Sequence, residues 1–286
     1  MGNLRNYVRL ILYSPFIVLI FIFLFSCNTT EPPSIQPVDI IPMDHNSDWS
    51  PKGEWIAYKH VAVDLEKDTS GIYIIRPDGA DKHLIIPGGY NPSWSPDGKK
   101  IAFAATTYDG QIWIYDLETK IYHKLTNEGF NIDPARSNKG DRIAYKSDQK
   151  LVVADTNGIV LLKTNLGGSL PSWSPNDDSI CYNDNSILTI VDILNLKSQK
   201  FFTIASPDWH PSLDEIVYDF YDYEKKEHNM GIYIFKTNNN QKLKVHGGSP
   251  SWSPDGMQIV YTNNIGNKTI LYIINRDGSN NKQLTK

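Results

Sequence analysis

The chain has 286 residues, of which 40% are hydrophobic, 12% aromatic and 21% charged, and its formal net charge is −4 at pH 7. This composition excludes an intrinsically disordered chain, and the lack of a basic surplus argues against a nucleic-acid partner. Two cysteines in a chain of this length exclude a disulfide-rich scaffold.

The first 26 residues have the composition of a targeting signal. Two arginines precede an apolar run from Leu10 to Phe25, and Cys27 follows. This order is typical of a signal peptide, and its end resembles the cleavage site of bacterial lipoproteins, which implies a diacylglycerol on Cys27. An uncleaved membrane helix is the alternative. Both interpretations place the remaining chain outside the cytoplasm, tied to a membrane of the cell envelope. With the lipid anchor, it is expected on the periplasmic side of the outer membrane or at the cell surface.

Residues 27–44 form a polar stretch with four prolines. Such a segment cannot bury enough apolar surface to build a core, so it is predicted to be a tether. Within it, Val38–Pro42 offers an alternative, because these residues could add an outer strand that protects a sheet edge.

From residue 45 to residue 286 one sequence motif recurs six times. It consists of a tryptophan, a turn of the type Ser-Pro-Asp-Gly, and an isoleucine seven positions after the tryptophan. The third copy carries an arginine in place of the tryptophan. The copies begin at Trp49, Trp94, Arg136, Trp173, Trp209 and Trp252.

Each copy predicts four strands. The first ends near the tryptophan, and a proline followed by a glycine favours a tight turn after it. The second strand carries trios such as Ile101–Phe103, the third carries runs such as Ile112–Tyr115, and the fourth covers stretches such as His123–Thr126. Repeats of roughly 36 to 45 residues have the length of one propeller blade. We therefore expect an all-β fold, a six-bladed β-propeller of four-stranded antiparallel blades, over residues 45–286.

The phrase from Trp94 to Gly98, followed by Ile101–Phe103, is similar to the PD40, or WD40-like, repeat. The array resembles the TolB-like propellers of the bacterial envelope. This resemblance, together with the lipoprotein signal, implies a membrane-anchored module that binds an envelope protein or peptide. Because the same repeat occurs in peptidase-associated propellers and polysaccharide lyases, a carbohydrate-binding or lyase-like protein is one alternative, and a structural envelope component is another.

Variable loops on a rigid frame usually carry function. The loops that join the fourth strand to the next first strand, and those that join the second strand to the third, share one face of a propeller. Two of these loops are long, namely Lys59–Gly71 and Asp219–Gly231. The second holds Tyr221 and Tyr223 among charged residues, a composition typical of interaction surfaces. The alternative is a solvated hairpin extension.

Residues just before each tryptophan are expected near the mouth of the central channel. A mixed polar ring there could hold a peptide or a sugar, although such residues could also only hydrate the channel. The candidates before the tryptophans, with one from a nearby loop, are His45, Asn46, Tyr90, Asn91, Asp133, Asp208, His246 and Ser249.

No catalytic motif is present, and the seven histidines are scattered without the spacing of metal ligands. We therefore expect a protein without catalytic residues, cofactor or metal. Arg136 stands where an inter-blade tryptophan is expected, so it should pair with Asp133 or Asp141 or be displaced towards solvent, and ligand binding is the alternative. Cys181 lies within a predicted second strand and is expected to act as a small buried hydrophobic residue.

Overall fold

A computed structural model describes residues 43–62, 69–105, 110–234 and 239–286. The signal peptide, Cys27, nearly all of the tether and the possible outer strand Val38–Pro42 lie outside these residues and stay predictions. In the part of the chain that is described, no helix has the length and apolar character needed to cross a membrane.

The described elements are strands joined by turns and loops, and each repeat contributes four strands. The first repeat forms β1 Met43–Trp49, β2 Ile56–Val61, β3 Gly71–Ile75 and β4 His83–Pro87. The second forms β5 Gly89–Trp94, β6 Lys100–Ala105, β7 Ile112–Asp116 and β8 Tyr122–Lys124. The third forms β9 Asn131–Arg136, β10 Arg142–Ser147, β11 Lys150–Asp155 and β12 Val160–Gly167. The fourth forms β13 Ser169–Trp173, β14 Ser179–Asp184, β15 Ile187–Asp192 and β16 Ser198–Thr203. The fifth forms β17 Pro207–Trp209, β18 Glu215–Asp222, β19 Glu227–Ile234 and β20 Asn239–His246. The sixth forms β21 Gly248–Trp252, β22 Gln258–Ile265, β23 Lys268–Asn275 and β24 Lys282–Gln283.

The strands of repeats two to five form four separate four-stranded antiparallel blades, but those of the first and sixth repeats share one eight-stranded sheet. Met43 at the start of β1 pairs in parallel with Thr269 of β23. The all-β propeller fold is confirmed, whereas the prediction of six separate four-stranded blades is wrong. The physical reason is the shortness of β24, which pairs only with Tyr272 and Ile273 and leaves the start of β23 open to β1.

The hydrophobic core lies between adjacent sheets. In the second and third repeats, Ile114 of β7 packs in one cluster with Ile143 and Tyr145 of β10. Full burial of an isoleucine is worth roughly 1.5–3 kcal/mol, so the repeated isoleucine contributes a regular share of the stability. The isoleucine seven positions after each tryptophan or its substitute has no exposed surface, at Ile56, Ile101, Ile143, Ile180, Ile216 and Ile259.

The turns after the tryptophans interlock between neighbouring repeats. A Cβ atom on Gly98, whose φ is +70°, would lie 3.3 Å from Pro51 of the preceding repeat. In the same way, Gly53 of the first repeat faces Pro254 of the sixth, so the turns also join the two ends of the array. Glycine is suited to this position because it accepts the left-handed backbone and leaves room for the neighbouring proline.

In one pair of neighbouring turns the proline and the glycine that would face each other are both replaced, and the two replacements form hydrogen bonds with each other. Asn138 replaces the proline of the third repeat and Asp177 replaces the glycine of the fourth. The backbone N–H of Asn138 donates to Asp177 Oδ1 at 2.7 Å, and the N–H of Lys139 donates to Asp177 Oδ2 at 2.9 Å. Since proline has no N–H, its loss creates a donor that the carboxylate of Asp177 satisfies.

Candidate functional site in the central channel

The innermost strand of every repeat borders a central channel. Strands β1, β5, β9, β13, β17 and β21 are neighbours in this order, and β21 also contacts β1. They enclose a cavity of about 400 Å³ whose wall begins at the residue three positions before each tryptophan. In most repeats it reaches the proline of the following turn. The channel is therefore a concave surface that all six repeats build together.

The first layer of the wall consists of the residue three positions before each tryptophan. Here the pairing between first and second strands shifts register in repeats one, two, three, four and six, as a β-bulge does. Asparagine and aspartate tolerate the positive φ that results, whereas Leu170 is an unusual residue for this conformation. The residues with positive φ in this layer are Asn46 (52°), Asn91 (50°), Asp133 (55°), Leu170 (52°) and Ser249 (49°).

Three predicted site residues form one hydrogen-bonded chain in this layer. The side-chain amide of Asn46 donates to Asn91 Oδ1, and the side-chain amide of Asn91 donates to Asp133 Oδ1. Asp133 Oδ2 accepts the backbone N–H of Leu170 at 3.2 Å. Burial raises the pKa of Asp133, which these hydrogen bonds and the charge of Lys146 oppose. The chain thus links the innermost strands of the first four repeats.

The second layer consists of the residue just before each tryptophan. Asp208 Oδ2 accepts the backbone N–H of Trp252 at 2.8 Å, and Asp208 Oδ1 accepts the hydroxyl of Ser172 at 2.8 Å. Asp48 Oδ2 accepts the backbone N–H of Trp94 at 2.6 Å. Each carboxylate therefore joins its own repeat to the next one.

Both carboxyl groups of this layer have raised pKa values. Burial raises the pKa of Asp208 to about 6 and the pKa of Asp48 to about 7, and the negative charge of Asp208 adds to the shift at Asp48. Sequence reasoning selected Asp208 and missed Asp48. The missing signal was the register of the repeats, because both residues come one position before a tryptophan.

The structure divides the predicted candidates into two groups. Asn46, Asn91, Asp133, Asp208 and Ser249 line the channel. The other five do not line it. His45 is adjacent to Asn46, and burial lowers its pKa; Tyr90 packs against the core between the second and third repeats. His246 is exposed at the end of β20, opposite Asn229.

The remaining two candidates, Tyr221 and Tyr223, lie on a hairpin. The predicted loop Asp219–Gly231 is the paired end of β18 and β19, so it is a hairpin, and its role as an interaction surface stays a prediction. Tyr223 is 79% exposed, and its ring meets the edge of the Tyr221 ring with 4.9 Å between centroids. At the base of the hairpin, His228 Nδ1 lies 3.4 Å from Asp219 Oδ2, and this hydrogen bond raises the pKa of His228. Residues 63–68 of the other long loop lie outside the described residues.

Arg136 also lines the channel and does not pair as expected. Asp133 is engaged by Asn91 and Leu170, while Asp141 accepts the hydroxyl of Ser137 at 2.9 Å. Among the described residues, Arg136 Nε and Nη1 are buried without a hydrogen-bond partner. Burial lowers the pKa of Arg136, and the negative charge of Asp97 opposes this shift.

The described residues bring no three His, Cys, Asp or Glu side chains together in a way that could hold a metal ion. The expectation of a protein without metal or cofactor stays a prediction. Cys181 is fully buried with a free thiol whose pKa burial raises well above its usual value.

Comparison with known proteins gives the fold but no family. No protein-family model and no curated protein matches the chain. Among solved structures, the chain is similar to a putative TolB from Agrobacterium tumefaciens, with 16% identity, 71% of this chain and 84% of that chain covered, and a TM-score of 0.60. It is also similar to an oligogalacturonate lyase in complex with manganese, with 14% identity, 80% of this chain and 76% of that chain covered, and a TM-score of 0.52.

A third match concerns TolB from Acinetobacter baumannii, with 20% identity and a TM-score of 0.44. That match covers 86% of this chain but only 54% of TolB, so the chain spans about half the length of that protein. At these identities the comparisons show the fold alone, which is a TolB-like propeller.

Proposed function

We propose that this chain is a membrane-anchored propeller of the bacterial cell envelope that binds a protein or peptide at its central channel. The observation that carries the proposal is the polar channel wall to which all six repeats contribute. Its volume of about 400 Å³ is in the range of binding pockets, which is roughly 300–1,000 Å³.

The lining of the channel suits an extended peptide. Prolines provide apolar surface, while serine, asparagine and aspartate side chains between them provide hydrogen-bonding groups. The carboxylates of Asp48, Asp133 and Asp208 all accept backbone N–H groups of the protein. This arrangement supports a structural and binding role for the three acids rather than acid–base catalysis, for which a carboxylate must reach its substrate.

The hairpin of β18 and β19 provides a second contact surface in this proposal. Tyr221 and Tyr223 present aromatic rings with a polar end to solvent, and such residues are enriched at protein interfaces. The anchor in the proposal is the lipid on Cys27, with residues 27–44 as the tether, which would hold the propeller outside the cytoplasm.

A carbohydrate-binding or lyase-like propeller is the second candidate. Two observations favour it, namely the similarity to an oligogalacturonate lyase fold and the raised pKa values of two channel carboxyl groups. Carboxyl groups with pKa values near neutrality are frequent at catalytic sites.

The test is an affinity capture from native membranes with the full-length, lipid-modified protein as bait and mass spectrometry as readout. One variant, Ser206→Trp, fills the channel, and its control, Ser198→Trp, places the same bulk on the exposed strand β16. A second variant, Tyr221→Ser with Tyr223→Ser, removes the hairpin aromatics, and Tyr122→Ser on the exposed strand β8 is its control.

We expect one envelope protein to be captured by the wild type and by both controls, and to be lost with the channel variant. Capture that survives the channel variant would contradict the channel as the binding site. Turnover of an oligosaccharide by the purified protein, abolished by Asp48→Asn or Asp208→Asn, would favour the second candidate instead.

A further inference from the structure

The third repeat places a guanidinium in a wall that is otherwise built around tryptophans. Arg136 occupies the tryptophan position of its repeat at the end of β9. Its backbone N–H donates to Ser93 Oγ at 3.0 Å. In the same way, the backbone N–H groups of Trp94 and Trp252 donate to Asp48 and Asp208. The backbone of the third repeat is therefore held by the same kind of hydrogen bond as in the other repeats. Only the side chain is different.

One nitrogen of this side chain, Nη2, is open to a ligand, and the other two have no hydrogen-bond partner among the described residues. Nε and Nη1 are sealed from solvent without a hydrogen-bond partner, and Nη2 also has no partner among the described residues but is not sealed. Burial of an unpaired cation is unfavourable by several kcal/mol unless an anion joins it. A carboxylate in the channel would meet Nη2 first, and a small rotation of the side chain would make the contact bidentate.

The carboxylates of the second layer lie on the opposite wall. In the ring of innermost strands, β9 and β21 are separated by two strands on either side, and Asp48 on β1 and Asp208 on β17 flank β21. Both aspartates and Arg136 line the same cavity. The channel thus has the cation Arg136 on one side, where Asp133 of the same strand is already engaged by Asn91 and Leu170, and the carboxylates of Asp48 and Asp208 on the other side.

We propose that the channel binds an acidic peptide segment, with a carboxylate of the peptide on Arg136 and its backbone or basic groups toward Asp48 and Asp208. This inference rests on the proposed function and specifies the chemistry of its partner. General electrostatic attraction does not explain such binding, because the whole protein carries a net charge of −4 and repels a polyanion.

The test measures binding of a fluorescein-labelled glutamate octapeptide to the full-length protein in detergent micelles, with the glutamine octapeptide of equal length as the uncharged probe. The key variant is Arg136→Trp, which restores the residue that the other five repeats carry and so keeps the fold within the pattern of the array. A second variant, Arg136→Lys, keeps the charge and removes the bidentate geometry. Thermal unfolding of each variant verifies that it is folded.

We expect the wild type to prefer the glutamate peptide, and Arg136→Trp to weaken its binding roughly 10-fold or more, as loss of a hydrogen-bonded charge pair does. Arg136→Lys should lie between the two. Equal binding of both peptides, or an unchanged preference in Arg136→Trp, would overturn the inference.

Two further experiments distinguish failure of this inference from failure of the proposed function. An envelope protein that is captured equally by wild type and by Arg136→Trp would leave the binding function intact and overturn the role of Arg136. An oligogalacturonate of matched charge is the sugar probe. If it binds in an Arg136-dependent manner while the glutamate peptide does not bind, the carboxylate would belong to a sugar, and the peptide assignment would be wrong.

Discussion

Single residues at equivalent positions of the repeats have different roles, and the channel depends on those differences. The residue before each tryptophan is aspartate in the first and fifth repeats but serine or alanine in the others. Asp48 and Ser172 both accept the backbone N–H at the tryptophan position of the next repeat, yet only Asp48 adds a titratable charge. An aspartate at this position accepts the backbone hydrogen bond as the serine does, and it also brings a titratable charge into the channel.

The first prediction concerns the unpaired cation at residue 136. Arg136→Trp removes a buried guanidinium without a partner and restores an aromatic ring between two sheets, so we expect the free energy of unfolding to rise by about 1–3 kcal/mol. Urea denaturation followed by circular dichroism measures the change. A loss of stability would show that the local packing has adapted to arginine and no longer accepts the larger ring.

The second prediction concerns pH. The folded-state pKa of Asp48 is about 7 against an ordinary value of 3.8, so the folded protein holds a proton there that the unfolded chain has lost. The contribution of Asp48 to stability therefore falls as pH rises from about 4 to 7. Asp48→Asn keeps an oxygen for the N–H of Trp94 and has no charge, so it should gain about 3 kcal/mol relative to wild type between pH 4.5 and pH 8.

Paired urea denaturation curves at pH 4.5, 6 and 8 measure this difference. The lowered pKa values of exposed groups such as Asp97 and Asp277 affect both proteins equally and cancel in the comparison. A stability difference that stays constant across this pH range would contradict a raised pKa at Asp48.

At the scale of one turn or strand, the repeats are stabilised by pairs of residues from neighbouring copies. The turns of the third and fourth repeats show this most clearly, because Asn138 brings a donor and Asp177 the acceptor. Neither substitution is explained by its own turn alone. Each becomes understandable only when the adjacent turn is placed beside it.

The third prediction tests this coupling. Asp177→Ala removes the acceptor of two partly buried hydrogen bonds, those from the N–H groups of Asn138 and Lys139, and should lower the free energy of unfolding by about 1 kcal/mol. The double variant Asn138→Pro with Asp177→Gly restores the sequence of the other turns and should recover most of that loss. Urea denaturation of both single variants and the double variant gives a coupling energy, and strictly additive effects would contradict the proposed compensation.

Much of the fold could be predicted from the sequence because strands leave local signals. The buried isoleucines, the alternation in β6 and β7, and the turns between them all follow from residues close together in the chain. The joining of β1 to β23 could not be predicted in this way, since it depends on how far β24 extends along its neighbour.

The candidate site could also be predicted only in part, because contacts between distant residues leave no local signal in the sequence. Asn46, Asn91 and Asp133 were found because they share a position in the repeat, but their hydrogen-bonded chain depends on a left-handed backbone that periodicity does not reveal. Asp48 was missed, and its raised pKa depends partly on Asp208, which is distant in the chain and near in space.

At the scale of the whole molecule, the first and last repeats are joined by core packing as well as by the shared sheet. Leu284 near the C-terminus packs in one cluster with Trp49 and Tyr58 of the first repeat. Leu125 has the equivalent place in the second repeat, where it packs with Ile143 of the third. The contact between first and last repeats therefore has the same construction as an internal contact.

The fourth prediction compares these two leucines. Leu284→Ala and Leu125→Ala should each lower the free energy of unfolding by about 2–5 kcal/mol, because each removes a buried side chain from a similar cluster. Leu194→Ala, at a side chain that is 83% exposed, is the control and should change stability by less than about 0.5 kcal/mol. Urea denaturation measures all three. A much smaller effect at Leu284 than at Leu125 would show that the junction of the two ends is the weak point of the ring.

The pairing of Met43 with Thr269 also has a consequence for the order in which the protein matures during synthesis. The ribosome completes the N-terminal strand β1 long before β23 exists, so the edge of the first repeat must wait for its partner until nearly the whole chain has been made. Contacts between residues so distant in sequence form slowly. A chain whose synthesis has not reached β23 therefore carries an open strand edge that could pair with another chain.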